Sequence, residues 1–497
     1  MAMTRIFILI VLVSFCKVTG AQEKVMKLSL KEVIDLATKQ SIDAFKEQNM
    51  YLASYWEYKY YKADKLPFLS MGASPFSFNN SIRQDYIPQD QSWSYSQQKN
   101  LTSSASLKLT QNVGVTGGAL TVSSDLGMSR NFLGDKQTLY SANQISVGYR
   151  QRVNGYNALR WKSKIEPLKF ETAKKNFIQS KEDIAVKAST KFFELVDAQI
   201  EINITTTNLA NADTLYQIGK GRYQVGTVTQ DELLNFELNL MNARLALTRA
   251  NQGLLRARAD LNSYLGLDKN AVIECILPTA ITAALQINVE EAVQKSMDNN
   301  PNILSQTQRL MEEDNKVKLT KAQNGLSADI SASAGLNQKA LIVSDSYKNP
   351  NQFQNIALVG LSVPIVDWGK RKGQLLMAKS NREVVVNSVK QERIDFQQSV
   401  LMSVLEFNLQ SEQVLNSARA DTIAQMGFDV TIRRFKIGKL DVTKLNLARN
   451  DLENAKRAYI NSLRKYWVSY YQIRQLTLFD FETSTNLSTD FDKILNQ

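Results

Sequence analysis

The spacing of apolar residues changes several times along the chain, and the first stretch has the period of a helix. Leu30, Val33 and Ile34 recur three and four positions apart, which predicts an amphipathic helix. Ser29 precedes this run as a capping residue, with a glutamate three positions later. We expect this helix to continue to about Lys65, just before a proline.

The period then shortens to two, which predicts β-strands with one apolar and one polar face. Gly117 and Gly118 predict a hairpin turn within this region, whereas Asn79, Asn80 and the polar run 89–100 predict an exposed loop. The alternating segments fall in two groups, 104–113, 119–126 and 144–153 in the first half and 328–336 and 355–366 in the second.

Very long helices follow each group of strands. One is predicted from about 166 to 218, and it would be roughly 80 Å long at about 1.5 Å per residue. A second is predicted from about 368 to 437. Apolar residues such as Ile184, Ala188 and Phe192 step at three and four positions, which is coiled-coil spacing. Helices of this length must lie against equally long partners.

The chain is an internal tandem duplication. Without gaps, Arg222 aligns with Arg434 at a separation of 212 residues, whereas Lys62 aligns with Lys321 at a separation of 259. The first half therefore contains about 47 extra residues in its middle. We divide the mature chain into a first repeat, 22–285, and a second repeat, 286–497, each with a helix, strands and a long helical hairpin.

The duplicated segment at 222–233 and 434–445 has the features of a turn between two antiparallel helices. Gly226 and Gly438 stand where a helix end requires a residue that tolerates positive φ. Thr229 and Asp441 then occupy aligned N-cap positions, and Glu232 completes a capping box in the first copy only.

Composition excludes several classes of function. The chain has no histidine and two cysteines, so histidine-dependent triads and cysteine-rich zinc sites cannot be built. No phosphate-binding glycine loop is present either, and we expect neither enzymatic activity nor a cofactor or metal. The formal charge of +12 is spread along the helices without long runs of one sign, which disfavours nucleic acid as a partner.

The first 21 residues are typical of a secretory signal peptide. Arg5 precedes the apolar run 6–15, and Gly20 and Ala21 provide a small-residue cleavage site. Cys16 leaves lipidation as an alternative. The mature protein is then exported.

Taken together, several motifs resemble the TolC-like outer-membrane efflux proteins, and the resemblance covers essentially the whole mature chain. The stretch SVPIVDWGKRKG at 362–373 is similar to the strand-to-helix junction of this family. Its counterpart at 149–161 lacks the proline. The other motifs are the paired helix starts at 28–37 and 287–296 and the two glycine turns.

The predicted fold class is an α+β membrane protein, a transmembrane β-barrel joined to a long antiparallel α-helical coiled-coil tunnel. Four amphipathic strands cannot close a barrel, and an open edge in lipid leaves backbone groups unpaired, so several protomers must form a ring. The resemblance implies a homotrimer with twelve strands. The hairpin at Gly117 and Gly118 could lengthen an external loop, lie in the periplasm or add strands.

By resemblance, the protein is an exit duct in the outer membrane of a Gram-negative bacterium and extends into the periplasm. It would conduct small toxic compounds or polypeptides passively, together with a periplasmic adaptor protein and an inner-membrane pump of the RND or ABC type. A structural or adhesive coiled-coil envelope protein is the alternative.

The resemblance also implies roles for residues at the two turns. The candidates for adaptor docking are Val225, Gly226, Thr227, Ile437 and Gly438. The candidates for ion pairs that keep the duct closed are Arg222, Arg434 and Asp441. For each of these residues, an ordinary turn or surface role is the alternative.

Overall fold

The computed structural model describes most of the mature chain, namely residues 25–89, 91–133, 136–268, 271–278, 285–348, 352–437, 439–440 and 442–495. The predicted signal segment 1–21, with Cys16, lies outside the described residues, as do Gly438 and Asp441. The chain forms two compact units, and each contains segments of both predicted repeats. The helical unit comprises Met1–Met50, Lys175–Asn300 and Phe396–Gln497, and the sheet unit comprises Tyr51–Lys174 and Pro301–Asp395.

Helices account for most of the described chain. They are α1 (Leu30–Gln40), α2 (Ile42–Ala63), α3 (Ala158–Gln224), α4 (Gln230–Leu265), α5 (Val289–Asn299), α6 (Pro301–Gln323), α7 (Lys370–Lys436), α8 (Val442–Thr477) and α9 (Phe491–Leu495). A short 3₁₀ turn covers Val343–Ser346. None of the described helices is both long and apolar enough to cross a membrane.

The strands are β1 (Met26–Ser29), β2 (Phe68–Ile87), β3 (Ser92–Val113), β4 (Gly118–Asn131), β5 (Thr138–Val153), β6 (Ile273–Ile276), β7 (Ser327–Ala340), β8 (Gln352–Ser362), β9 (Phe479–Asp480) and β10 (Thr485–Asn486). β1 and β6 pair in parallel, and β9 and β10 form a small antiparallel ladder.

The helices of the two halves correspond closely. The helices α1 and α5 each have 11 residues, α3 and α7 each have 67, and α4 and α8 each have 36. The expectation of one continuous helix to Lys65 was wrong, because the chain is extended at Ser41 with φ −68° and ψ 155°. The Ser41 hydroxyl accepts a hydrogen bond from the Ala44 amide at 3.0 Å and so caps a second helix.

The core of the helical unit lies between the long helices. The predicted positions Ile184, Ala188 and Phe192 of α3 are all at most 2% exposed. They belong to one buried cluster with Leu261 of α4 and Phe407 of α7, which confirms the coiled-coil spacing. Both long hairpins of the chain are therefore held by apolar side chains at helical intervals.

The large sheet contains more strands than the sequence predicts. Over the described residues it has six strands in the order β2-β3-β4-β5-β7-β8, and every neighbouring pair is antiparallel. The predicted loop at 89–100 lies largely in β3, and Asn79 and Asn80 lie in β2, so that prediction was wrong. Gly117 ends the turn between β3 and β4 with φ +80°, as predicted.

Candidate functional site: sheet faces, sheet edges and coil tips

The large sheet has one apolar and one polar face. In β3 the odd-numbered positions include Trp93, Tyr95 and Leu107, and the even-numbered positions are all polar. Alternate side chains of a strand point to opposite faces, so this alternation separates the two chemistries. The even-numbered set is Ser92, Ser94, Ser96, Gln98, Asn100, Thr102, Ser104, Ser106, Lys108, Thr110 and Asn112.

A β-bulge keeps the apolar face of β2 continuous. Met71 lies opposite Leu107, and Phe78 lies opposite Leu101. Both partners in β3 have odd numbers, whereas in β2 Met71 has an odd number and Phe78 an even one. The register shift between Ser74 and Ser77 makes this possible, because one extra residue reverses the alternation. The strand therefore presents apolar residues to the same side above and below the bulge.

The apolar face is exposed in the single chain. Met71 is 74% exposed, Phe78 47% and Leu107 50%. Leaving such side chains in water costs about 25 cal/mol per Å² of apolar surface. The strand lengths of 11 to 22 residues equal or exceed the roughly 9–11 residues that cross a membrane when tilted. The face thus fits a hydrocarbon environment.

The sheet ends in two unpaired edges. Among the described strands, β2 pairs only with β3 and β8 pairs only with β7. Each free edge presents backbone N–H and C=O groups without a ladder partner. In lipid such groups cost several kcal/mol each, so the sheet requires a further strand at both edges.

The first coil tip is a tight helix-terminating turn. Gly226 has φ +74°, and its amide donates to the Tyr223 carbonyl at 3.0 Å. The Thr227 amide donates to the Arg222 carbonyl at 2.9 Å, which completes a Schellman motif. The Glu232 carboxylate accepts hydrogen bonds from the amide and hydroxyl of Thr229 at 3.0 and 3.1 Å. Gly226 thus ends α3 in the left-handed region, and Thr229 is the N-cap residue of α4.

The second tip repeats this geometry where it is described. The Lys439 amide donates to the Arg434 carbonyl at 3.0 Å, which matches the bond between Thr227 and Arg222. The side chains of Val225 and Ile437 are 73% and 66% exposed. Both tips thus present an aliphatic side chain to the surroundings, as a docking surface requires.

The arginines proposed for the gate, Arg222 and Arg434, lie near the ends of α3 and α7. Among the described residues, no ion pair involves Arg222 or Arg434. Arg222 lines a cavity of about 220 Å³ between α3, α7 and α8, together with Phe428, Phe435 and Leu445. The role of Arg222 and Arg434 in gating stays a prediction.

A series of charged pairs joins α3 to α8, and no motif in the sequence indicates it. Arg457 donates to Glu201 at 2.8 Å, and Arg464 donates to Asp197 at 3.4 Å. The partners lie 256 and 267 residues apart, so no local pattern reveals them. These pairs fix the two helical hairpins of one chain against each other.

The least exposed of the charged pairs between α3 and α8 belongs to a cluster around Arg474. Arg474 donates to Glu182 at 2.9 and 3.1 Å and to Asp480 at 2.9 Å, and Tyr470 also donates to Asp480 at 2.7 Å. Burial raises the pKa of Glu182, against the opposing charge of Arg474. Burial also acts to raise the pKa of Asp480, but the Tyr470 hydrogen bond and the Arg474 charge together lower it.

Two long helices expose apolar stripes at heptad spacing. On α4 the stripe contains Leu234, Leu238, Met241 and Leu245, each about half exposed in the single chain. On α7 a similar stripe contains Met402, Leu405, Leu409, Ile423, Met426 and Val430. Such stripes normally pack against another helix, so the single chain lacks part of its coiled coil.

The part of the chain that the structure describes contains no group of three or more His, Cys, Asp or Glu residues placed to hold a metal ion. Cys275 lies on β6, and burial raises the pKa of its thiol to about 12. The thiol is therefore protonated near neutral pH and poorly suited to metal binding or nucleophilic attack.

An amphipathic antiparallel sheet with open edges and two long helical hairpins is the fold of outer-membrane channels, as comparison with solved structures shows. The outer membrane channel CmeC of Campylobacter jejuni superposes with a TM-score of 0.63 at 15% identity, over 94% of this chain and 88% of that one. VceC of Vibrio cholerae gives 0.62 at 13%, over 90% and 95%. The open state of MtrE of Neisseria gonorrhoeae gives 0.61 at 13%, over 93% and 90%.

A family model assigns the second repeat more directly. Residues 292–477 match the family described as outer membrane efflux protein. This segment is therefore similar to outer membrane efflux proteins, which agrees with the resemblance found in the sequence. A search of curated proteins gave no significant match.

Proposed function

We propose that this protein is the exit duct of a tripartite efflux or type I secretion system in the outer membrane of a Gram-negative bacterium. The observation that carries the proposal is the large sheet, which is apolar on one face, polar on the other and unpaired at both edges. A sheet of this kind is stable in a bilayer only as part of a closed wall. In this proposal the duct conducts passively, without catalysis.

The helices support the same assembly. The heptad stripe of α4 and the stripe of α7 are exposed in one chain, and neighbouring copies in a ring would cover them. We propose a homotrimer, as the family resemblance implies. A structural or adhesive coiled-coil protein would explain the helices but would leave the apolar sheet face without a role.

The coil tips are the proposed docking site for a periplasmic adaptor, which would connect the duct to an inner-membrane pump of the RND or ABC type. Val225, Thr227 and Ile437 supply exposed side chains there, and Gly226 shapes the first turn. Gly438 is the proposed equivalent of Gly226 in the second turn. The cargo would be small toxic compounds or polypeptides.

Purification and deletion test this function. The mature protein should require detergent for extraction from the outer membrane and migrate as an oligomer that heating dissociates. A deletion strain should become sensitive to dyes, detergents or antibiotics, or fail to secrete a particular protein. A water-soluble monomer would contradict the proposal.

Docking is tested by substituting the exposed tip residues. Val225→Asp combined with Ile437→Asp should abolish copurification of the adaptor while the oligomer stays intact. The matched control is Gln252→Asp, an exposed position of α4 away from the turn. Equal loss in both variants would argue against docking at the tips.

A further inference from the structure

The duplication shows that the large sheet contains two additional strands in the first repeat. Shifting numbers by the 212 residues that align the two coil tips places β8 at 140–150, within β5, and places β7 at 115–128, over most of β4. By this offset β4 and β5 are the counterparts of β7 and β8, whereas the offset of 259 that aligns the helix starts places β7 at 68–81, within β2. By either offset the first repeat has one hairpin more than the second. Counted by the coil-tip offset, the additional hairpin is that of β2 and β3, and its 46 residues, 68–113, match the extra segment of the first repeat in length.

We propose that this inserted hairpin forms part of the barrel wall, so that three copies close a barrel of eighteen strands in which β2 of one protomer pairs with β8 of the next. The inference rests on the proposed function, because it presupposes a ring in the outer membrane. It replaces the twelve strands that the family resemblance implies.

The hydrogen-bonded ladder places the hairpin in the wall. β3 pairs with β4 without any register shift, from Asn100 opposite Asn131 to Val113 opposite Gly118. Leu109 lies opposite Val122, so the apolar face continues from the hairpin into β4. A hairpin folded away as a separate loop would interrupt both the ladder and this face.

The strand lengths also suit a common wall. The part of β2 that lies opposite Asn100–Thr110 of β3 is 68–79, and β8 runs from Gln352 to Ser362. These two edge segments are of similar length and can pair over their whole extent. Beyond Asn79 the hairpin pairs only with itself among the described strands and projects past the wall.

The directions of the edge strands allow the ring to close. All neighbouring strands are antiparallel over the described residues, and four strands lie between β2 and β8. β2 and β8 of one copy therefore run in opposite directions. β2 of one copy therefore meets β8 of the next copy in the antiparallel sense. Pro75 lacks an N–H, but it lies at the bulge of β2, where the ladder is already interrupted.

The consequence concerns the width of the outer opening. Barrel diameter grows roughly in proportion to strand number, so eighteen strands give a barrel about 1.5 times as wide as twelve. The polar face of the hairpin, with Ser104, Ser106 and Thr110, would line this wider lumen mostly with hydroxyl groups. Barrels of this size hold an aqueous channel.

Disulfide cross-linking in the full-length mature protein tests the pairing. In a Cys275→Ser background, one cysteine replaces Ala357 in β8 and a second is moved along β2, at Gly72, Ala73 and Ser74. A parallel series places the second cysteine in β4, at Val122, Ser123 and Ser124. As an internal control, Ala332 lies opposite Ala357 within one protomer, so cysteines there should join without linking copies.

We expect oxidation to produce covalent oligomers from the β2 series and none from the β4 series. Oligomers from the β4 series alone would overturn the eighteen-stranded barrel, because β4 would then be the edge of the wall, while the proposed duct would stand. A detergent-extracted trimer with no cross-link in either series would also overturn it. A monomer outside the membrane fraction would refute the proposed function itself.

Deleting the hairpin provides a second measurement. A variant without 67–117 retains β4, β5, β7 and β8 as a wall. If it assembles, the radius of the largest polyethylene glycol that enters from the outer side should fall about 1.5-fold. An unchanged radius would overturn the proposal, and the cross-linking result stands independently if this variant does not assemble.

Discussion

At the scale of single residues, Gly226 shows how a turn is encoded by conformation alone. A Cβ built at this position has no atom within 4 Å, yet φ is +74°. Any cost of substitution therefore comes from the left-handed backbone, which asparagine tolerates better than alanine.

We predict that Gly226→Ala destabilises the coil tip by about 1 kcal/mol and that Gly226→Asn costs less. Hydrogen exchange of the amides of Gly226 and Thr227 measures this difference. If Gly226 serves only the turn, the amount of adaptor that copurifies should fall more in Gly226→Ala than in Gly226→Asn, in line with the loss of coil-tip stability. A loss of copurification that is equal in both variants would instead indicate direct contact at the glycine.

Cys275 gives a prediction about reactivity. Because burial raises its thiol pKa to about 12, almost no thiolate is present at pH 8. A maleimide should therefore label the folded mature protein much more slowly than the protein unfolded in guanidinium. Comparable rates in the two states would show that the fold does not protect this thiol.

Residues whose roles depend on near neighbours were predictable from the sequence, and those with distant partners were not. Ser29 and Thr229 were recognised as caps because their partners lie three positions away. Glu182 and Arg474 are separated by 292 residues, and nothing in either local segment indicates the other. Only the packing of α3 against α8 brings them together.

At the scale of elements, the hairpin of β2 and β3 shows why a strand is not always recognisable from the alternation of apolar and polar residues. The apolar face of β3 carries Gln97 and Lys99 among its aromatic residues, so the alternation is weak there. In β2 the bulge between Ser74 and Ser77 reverses the parity halfway. The long helices contain no such interruption, and their extents were predicted well from spacing.

The cluster around Arg474 predicts a strong effect on the stability of the helical unit. Arg474→Met should lower the free energy of unfolding by about 3 kcal/mol, because Glu182 and Asp480 would lose their buried partner. The matched control is Arg464→Met, whose pair with Asp197 is more exposed and should cost less than about 1 kcal/mol. Denaturant unfolding distinguishes the two.

The same cluster predicts a dependence on pH. The pKa of Asp480 is lower when folded than when unfolded, so its contribution is present above the unfolded value and is lost as pH falls through the folded value. In Asp480→Asn this acid-side loss should be smaller than in the unmodified protein. Identical acid unfolding profiles would show that Asp480 does not contribute.

The exposed stripe of α4 predicts a defect in assembly and not in folding. Leu238→Asp places a charge on the surface that a neighbouring copy would cover, whereas Asn239→Asp places the same charge beside it. Size-exclusion chromatography in detergent should show loss of trimer for the first variant only. A trimer that tolerates Leu238→Asp would place the stripe outside the interface.

At the scale of the whole molecule, the two faces of the large sheet predict opposite responses to one substitution. Leu107→Arg on the apolar face should cost about 2–4 kcal/mol near the middle of the bilayer and reduce the heat-sensitive oligomer in the outer membrane. Ser106→Arg, one position away on the polar face, should assemble normally. Equal effects would mean that the apolar face does not contact lipid.

The general architecture was predictable because it follows from repetition and period. The duplication, the helical hairpins and the need for a ring were all derived from spacing and from unpaired strand edges. The number of strands was not, because a strand rich in polar residues resembles a loop in composition, as residues 92–100 of β3 show. Hydrogen-bond partners, not hydropathy, define such a strand.

A hairpin always adds two strands of opposite direction. Its gain or loss therefore leaves the two edge strands of the sheet antiparallel, so that neighbouring copies can still pair. In a threefold ring, a single insertion in the gene changes the strand total in steps of six. The helices α3, α4, α7 and α8 need not alter in length to accommodate it. Such a protein can thus acquire a different outer bore in evolution while its coil tips remain constant.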